Sequence, residues 1–211
     1  MIEKIARERS RCAPECAKLE LRKELKLSTV EVEVVGEGAE IVGVVEKAIE
    51  IRKDRIKDSK SSIKVAEYDE IWCVVDAERK IDNPSWERGI DRSSANELLL
   101  AWSNPCFEYW ILLHFERIGR SFDGYHDVRN NLKKYITDYQ KNLNYFDKLA
   151  PRISIAIDRS KEIHRTQWKN TPKIIDKNPA TTVHELVESL FKIAEITVDQ
   201  FLERYAKERS R

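Results

Sequence analysis

The chain has 211 residues, of which 36% are charged and 41% hydrophobic, so it is long enough for one sizeable core and too apolar for general disorder. Its 38 lysines and arginines nearly cancel its 37 aspartates and glutamates, which removes overall basicity as an argument for nucleic-acid binding. No stretch has the ~18 apolar residues of a membrane span and the first residues are too charged for a secretory signal, so we expect a cytoplasmic protein without a membrane partner.

The early part of the chain alternates between helical and strand patterns. Residues 1–14 lack a strand-like run and are left unassigned, because Pro14 interrupts any helix there. Leucines at helical spacing predict a helix within 15–27, and the alternation VEVEVV predicts an edge strand at 30–35. An amphipathic pattern then predicts a long helix over 39–58.

Two short apolar runs predict strands that are buried on both faces. The run IWCVV covers 71–75 and ends at Asp76, and LLLAW covers 98–102 and ends before the turn signal Ser103-Asn104-Pro105. A helix is predicted between them at 86–94, and another follows at 107–115. Strands that alternate with helices indicate an α/β fold with a parallel sheet and right-handed crossovers.

Beyond residue 125 the patterns predict helices alone, at 125–136, 145–166 and 181–206. We therefore expect a C-terminal helical cover on the sheet. The resulting division is an unassigned N-terminus over 1–20, an α/β core over 21–120 and a helical region over 121–211.

Polar side chains gather where the two central strands end. In an open α/β sheet, ligands bind beyond the carboxyl ends of the strands, which places Asp76, Glu78, Asn104 and Glu108 on one rim. The carboxylates of Asp76 and Glu78 are suited to sharing Mg²⁺, which prefers oxygen ligands. Acidic residues are also common in loops after strands, so both interpretations are open.

Glu108 and His114 lie on a helix that is otherwise mostly apolar. A buried carboxylate requires a cation, a hydrogen-bond network or an exposed rim, whereas a first-turn glutamate is also favoured by the helix dipole. His114 is a candidate catalytic base, but its apolar neighbours favour a core histidine with one nitrogen satisfied.

The segment Asn178-Pro179-Ala180-Thr181-Thr182 precedes the last predicted helix. We predict that it folds back onto the rim that carries Asp76 and Glu108, where Asn178 and Thr182 would bind a phosphate at the helix start. The alternative is that Thr181 or Thr182 only caps a surface helix. No GxxxxGK[ST] loop is present, so energy from ATP would have to come from another chain.

Three strings, YDEIWCVVDAERK, SNPCFEYWILLHFE and NPATTVHELVE, resemble the RloB-like family, which is found beside prokaryotic restriction and phage-defence genes. The resemblance runs from about residue 20 to residue 192. It implies a Toprim-like fold that acts on phosphodiester bonds with Mg²⁺. It places Asp76 at the first position of the family's DxD motif, and Asn104, Glu108, His114, Asn178 and Thr182 at positions of its later motifs.

Two features depart from the family pattern. The family opens with an apolar strand that ends in an EGEKTE-like string, where this chain has ARERSRCAPECAK, with Glu8 and Glu15 nearby. The second aspartate of DxD is replaced by Glu78, whose side chain is one methylene longer.

The resemblance implies two functions of different classes. The first is a Mg²⁺-dependent nuclease-like protein of phage defence that acts on nucleic acid, with Asp76, Glu78 and Glu108 as metal ligands. The second is a non-catalytic Toprim-like subunit that binds an AAA-type ATPase.

Overall fold

The computed structural model describes residues 3–8, 20–35, 40–61, 66–77, 84–141 and 143–210. The strands are β1 (Glu3–Glu8), β2 (Val30–Val35), β3 (Glu70–Asp76), β4 (Leu99–Asn104) and β5 (Ala180–Thr181). The helices are α1 (Ile41–Ser61), α2 (Pro84–Ala95), α3 (Glu108–Leu113), α4 (Tyr125–Leu132), α5 (Phe146–Leu149), α6 (Ile153–Thr166), α7 (Val183–Ile193) and α8 (Val198–Arg209).

The α/β class is confirmed, but the sheet is mixed. Its five strands lie in the order β2-β1-β3-β4-β5, with β1 parallel to both β2 and β3. β5 is antiparallel to β4, in the register Ser103↔Thr181 and Asn104↔Ala180. The predictions of an all-parallel sheet and of helices alone beyond residue 125 are therefore wrong, because a returning segment adds a two-residue strand at the sheet edge.

The N-terminus also differs from the prediction. Residues 3–8, left unassigned from the sequence, form β1 between β2 and β3. The pattern EKIARE has too few apolar residues to signal a strand, and its pairing partners are distant in sequence. The predicted helix within 15–27 is helical at 20–24, and residues 15–19 lie outside the described residues.

Two long predicted helices are each divided. The helix predicted at 145–166 is interrupted by a 3-10 turn at Ala150–Arg152, because Pro151 has no N–H to continue the helical ladder. The helix predicted at 181–206 ends at Ile193, and α8 begins at a capping box in which Thr197 and Gln200 bond reciprocally. Glu195, in the left-handed region at φ 54°, turns the chain between them.

The chain forms two compact units that interleave along the sequence. The first comprises Met1–Ser10, Ser28–Val75 and Asp82–Trp102, and the second comprises Arg11–Leu27, Asp76–Ile81 and Ser103–Arg211. The predicted domain boundaries at residues 20 and 120 stay predictions. No helix in the described part of the chain is both long enough and apolar enough to cross a membrane.

Each unit has its own apolar core. In the first unit, the buried face of α1 contributes Ile41, Val44, Val45, Ala48 and Ile49, and residues 71–75 of β3 are buried. In the second unit, every residue of α3 is buried. The buried thiols of Cys73 and Cys106 are free, and burial raises the pKa of Cys73 to about 12. Cys12 and Cys16 lie outside the described residues.

The contact between α1 and α2 leaves no room for a side chain at Gly89. A Cβ atom there would lie 2.7 Å from both γ carbons of Ile41. We expect Gly89→Ala to lower the free energy of unfolding, because overpacking costs about 1–3 kcal/mol against a helix-propensity gain of about 1 kcal/mol. Urea denaturation measures the change, with Arg88→Ala on the same helix as the control. Equal or greater stability of Gly89→Ala would contradict this packing.

Candidate functional site

The ends of β3 and β4 lie side by side within the second unit. The backbone N–H of Ala77, directly after Asp76, donates to the carbonyl of Ser103 at 2.7 Å. Asp76 is half-buried, and Asn104, the last residue of β4, is 3% exposed. The structure thus brings together the strand ends predicted to form the rim. Glu78 lies outside the described residues, so its position there stays a prediction.

Of the two described acidic residues of the predicted site, Glu108 is the more deeply buried. It begins α3 and is 1% exposed. The hydroxyl of Tyr139 donates to its Oε1 at 3.1 Å, and the Nζ of Lys141 lies 3.7 Å from the same oxygen. The thiol of Cys106 also bonds to it. A cation and a hydrogen-bond network together therefore compensate the burial of this charge.

Cys106, two residues before Glu108, carries a buried free thiol. Burial raises the pKa of Cys106 well above its usual range, and the negative charges of Glu108 and Asp76 add to the effect. The sulfur therefore stays protonated and is unsuited to act as a nucleophile. The charges of Asp76 and Glu108 therefore both act on this thiol.

The donor chemistry of this carboxylate pair fits Mg²⁺. Magnesium is usually held by one or two carboxylates together with waters and substrate phosphates, and Asp76 and Glu108 supply oxygen donors alone. Among the described residues, no group of three or more histidines, cysteines, aspartates and glutamates is placed to hold a metal ion. Any site here is therefore a two-carboxylate site unless residues outside that part, such as Glu78, complete it.

A tyrosine and a lysine extend the cluster away from Glu108. The Nζ of Lys141 lies 4.1 Å from the centroid of the Tyr125 ring, a cation–π contact. Burial raises the pKa of Tyr125, and the charge of Glu108 raises it further. Tyr125, Tyr139 and Lys141 carry no motif signal in the sequence, since Tyr139 lies 31 residues beyond Glu108 in an irregular stretch.

The two asparagines of the predicted phosphate site bind backbone groups of their own unit. The Nδ2 of Asn104 donates to the carbonyl of Ile175 at 3.0 Å. The side chain of Asn178 accepts from the N–H of Phe122 at 3.1 Å and donates to its carbonyl at 2.9 Å. These amides tie loops to the strand ends, and their predicted contact with a phosphate stays a prediction.

The side chain of Thr181 bonds to the first residue of α7. Its Oγ1 accepts from the N–H of Val183 at 3.2 Å and lies 2.9 Å from the hydroxyl of Ser103. Thr182 is 8% exposed and makes no capping bond with its side chain. The segment does fold back against the end of β4, as predicted, while phosphate binding by Thr182 stays a prediction.

His114 lies in the core. It is 3% exposed, its Nδ1 lies 3.0 Å from the carbonyl oxygen of Trp110, and its ring lines a small apolar cavity. Burial lowers its pKa to about 4, although its backbone hydrogen bonds act in the opposite direction. Six residues of an α-helix turn through about 600°, so His114 points away from Glu108. Its burial and backbone contact agree with the core interpretation, and a catalytic role of His114 stays a prediction.

A second polar cluster, without a motif in the sequence, lies beneath β5. The hydroxyl of Ser160 donates to the carbonyl of Thr181 at 2.7 Å and lies 2.9 Å from the Nδ1 of His184. The Nε2 of His164 lies 3.0 Å from the same carbonyl. Burial lowers the pKa of His184 to about 4, and the neighbouring His164 adds to the shift. These contacts hold β5 against α6.

Removing the hydroxyl of Tyr139 tests how the charge of Glu108 is compensated. We expect Tyr139→Phe to lower the free energy of unfolding by about 1–3 kcal/mol, because a buried carboxylate loses a hydrogen-bond donor. Tyr135→Phe is the matched control, since its exposed hydroxyl donates to Glu116 at the surface. If Tyr139→Phe and Tyr135→Phe lower the free energy of unfolding equally in urea denaturation, the role of Tyr139 is contradicted.

The His184 cluster predicts a dependence of stability on pH. The folded-state pKa is about 4 and the unfolded value about 6.5, so the unfolded chain binds more protons between these values. Stability from this group is present above pH 6.5 and is lost as the pH falls towards 4. Between pH 6.5 and pH 4, the free energy of unfolding of His184→Asn should fall less steeply with pH than that of the parent, by about 1.4 kcal/mol per pH unit.

The control for this measurement is His126→Asn, at an exposed position on α4. Urea denaturation at a series of pH values gives both profiles. The assignment fails if His184→Asn loses stability on acidification as steeply as the parent protein.

Comparison with known proteins identifies a family. The model of the RloB-like protein family matches residues 9–190. Neither a curated protein nor a solved structure matches the chain. Because the family model covers most of the sequence, the chain belongs to the RloB-like protein family.

Proposed function

We propose that this RloB-like protein is a Mg²⁺-dependent, nuclease-like phosphodiester hydrolase of phage defence, built on a Toprim-like core. The observation that carries the proposal is that two carboxylates follow the neighbouring ends of β3 and β4: Asp76 ends β3, and the buried Glu108 begins α3 four residues after β4. A carboxylate pair at the carboxyl ends of strands is suited to hold a hard divalent cation.

Each side chain of the proposed site would have its own role. Asp76 and Glu108, with Glu78 as a proposed third ligand, would hold Mg²⁺. When bound, the metal supplies Lewis-acid polarisation of the phosphodiester and lowers the pKa of a bound water. Tyr139 orients Glu108 through its hydrogen bond to Oε1, and the protonated thiol of Cys106 interacts with the same carboxylate. Asn104 and Asn178 hold the surrounding loops in place.

A second function is favoured by a different observation. The ammonium group of Lys141 already lies 3.7 Å from Glu108 Oε1, so a protein cation stands beside this carboxylate. In this proposal the chain is a non-catalytic Toprim-like subunit that binds an AAA-type ATPase. The partner chain would supply the nucleotide-binding loop that this sequence lacks.

Substitution of the two carboxylates tests the hydrolase proposal. We expect Asp76→Asn and Glu108→Gln to reduce Mg²⁺-dependent cleavage of DNA and RNA by at least about 10²-fold, since small misplacements at a reacting centre have such effects. Both changes keep the side-chain shape and remove the charge. Asp91→Asn, at an exposed position on α2, is the control. Unchanged cleavage in Asp76→Asn and Glu108→Gln would refute the assignment.

Thermal melting with and without Mg²⁺ distinguishes the two proposals. A ligand that binds the folded state alone stabilises it by about 2.7 kcal/mol at 100 times its Kd. The hydrolase proposal expects a higher Tm at millimolar Mg²⁺ in the parent protein, and a smaller shift in Asp76→Asn. Absence of both cleavage and a Mg²⁺-dependent shift in the parent favours the subunit proposal.

A further inference from the structure

Two cationic side chains, Lys141 and Arg129, lie near Tyr125, and neither carries a motif signal in the sequence. Lys141 contacts both Glu108 and the ring of Tyr125, and its side chain is 30% exposed. Arg129 follows Tyr125 by one helical turn on α4, so the two side chains share a face of that helix. The charges of both Lys141 and Arg129 act on the Tyr125 hydroxyl. The two cations therefore flank one tyrosine.

The guanidinium of Arg129 carries an unsatisfied donor. Its Nε is buried and has no hydrogen-bond partner within the part of the chain that the structure describes. A buried donor without a partner costs about 1–3 kcal/mol. An incoming oxygen ligand that accepts this proton would recover that free energy. By contrast, the guanidinium of Arg120 near the same helix is already bonded to both carboxylate oxygens of Asp127.

We propose that Arg129 and Lys141 form a phosphate-binding subsite that holds a backbone phosphate of a nucleic-acid strand beside Glu108. An arginine offers directional donors suited to phosphate oxygens, and a lysine acts as a flexible point charge. Both would be positioning residues: they hold the strand, and the carboxylate pair acts on it. This role in hydrolysis rests on the proposed function, whereas phosphate binding itself is measurable without any reaction.

Binding is measured in EDTA, so that neither Mg²⁺ nor cleavage contributes. The probe is a fluorescein-labelled 12-nucleotide single-stranded DNA, titrated by fluorescence anisotropy at a series of salt concentrations. Each phosphate contact contributes about −0.7 to the slope of log K against log salt for single strands. We expect Arg129→Gln and Lys141→Gln each to weaken binding about 10-fold and to make the slope shallower by about 0.7.

Three variants separate binding from folding and from general charge. Arg129→Lys and Lys141→Arg keep the charge and should retain most of the salt slope. Lys134→Gln removes an exposed cation, whose Nζ donates to Asn131, from the same stretch of chain and should bind like the parent. The proposal is overturned if Arg129→Gln and Lys141→Gln match Lys134→Gln in both affinity and slope, or if the charge-keeping variants lose as much as the glutamine variants.

A second arm distinguishes nucleic acid from free phosphate. Inorganic phosphate, compared with chloride at equal ionic strength, should raise the Tm of the parent more than that of Arg129→Gln. Stabilisation by inorganic phosphate without any binding of the oligonucleotide would refute the nucleic-acid assignment.

Asp76→Asn separates failure of this subsite from failure of the proposed hydrolysis. We expect this variant to bind the oligonucleotide in EDTA at least as tightly as the parent, since it loses a negative charge. Retained binding without cleavage in the parent refutes hydrolysis and leaves the subsite intact. If Arg129→Gln and Lys141→Gln bind the oligonucleotide as tightly as the parent does, the subsite is refuted and the proposed hydrolysis is not.

Discussion

The second unit depends on how the charge of Glu108 is compensated. A carboxylate that is 1% exposed carries a desolvation cost of several kcal/mol unless donors and a cation surround it. Cys106 comes from the turn before α3, while Tyr139 and Lys141 come from the irregular chain after α4. The irregular segment that carries Tyr139 and Lys141 must therefore pack against the start of α3 for the second unit to fold, although this segment forms no helix or strand.

The remaining polar residues of the rim are engaged mainly with the backbone. Asn104 bonds to Ile175, Asn178 bonds to Phe122, and the hydroxyls of Ser103 and Thr181 lie within hydrogen-bond distance of each other. Such contacts lock side chains and loops before any ligand arrives, which is what precise placement of reacting groups requires. Asp76 and Lys141 are partly exposed. The hydrolase proposal rests on Asp76 together with Glu108, and the subunit proposal rests on Lys141 beside Glu108.

The sequence predicted the parts of the fold whose signals are local. The runs at 71–75 and 98–102 are apolar without interruption, and both contain strands. Residues 71–75 are buried throughout, whereas Leu99 is 38% exposed, so the prediction of burial on both faces is wrong for the start of β4. The long amphipathic pattern after residue 40 is α1. Two local signals were overlooked: Pro151 interrupts a helix, and Thr197 with Gln200 begins another. Both follow from known backbone chemistry and were readable from the sequence.

By itself, the sequence determined the family, the α/β class, the strand that ends at Asp76 and the burial of α3, because each is carried by a contiguous pattern of apolar and polar residues. The tertiary structure alone decided that residues 3–8 pair between β2 and β3, and that Ala180–Thr181 closes the sheet edge in the antiparallel sense. It also decided which donors surround Glu108. These pairings join residues far apart in the chain, and such contacts depend on packing and desolvation in three dimensions, for which no local pattern exists.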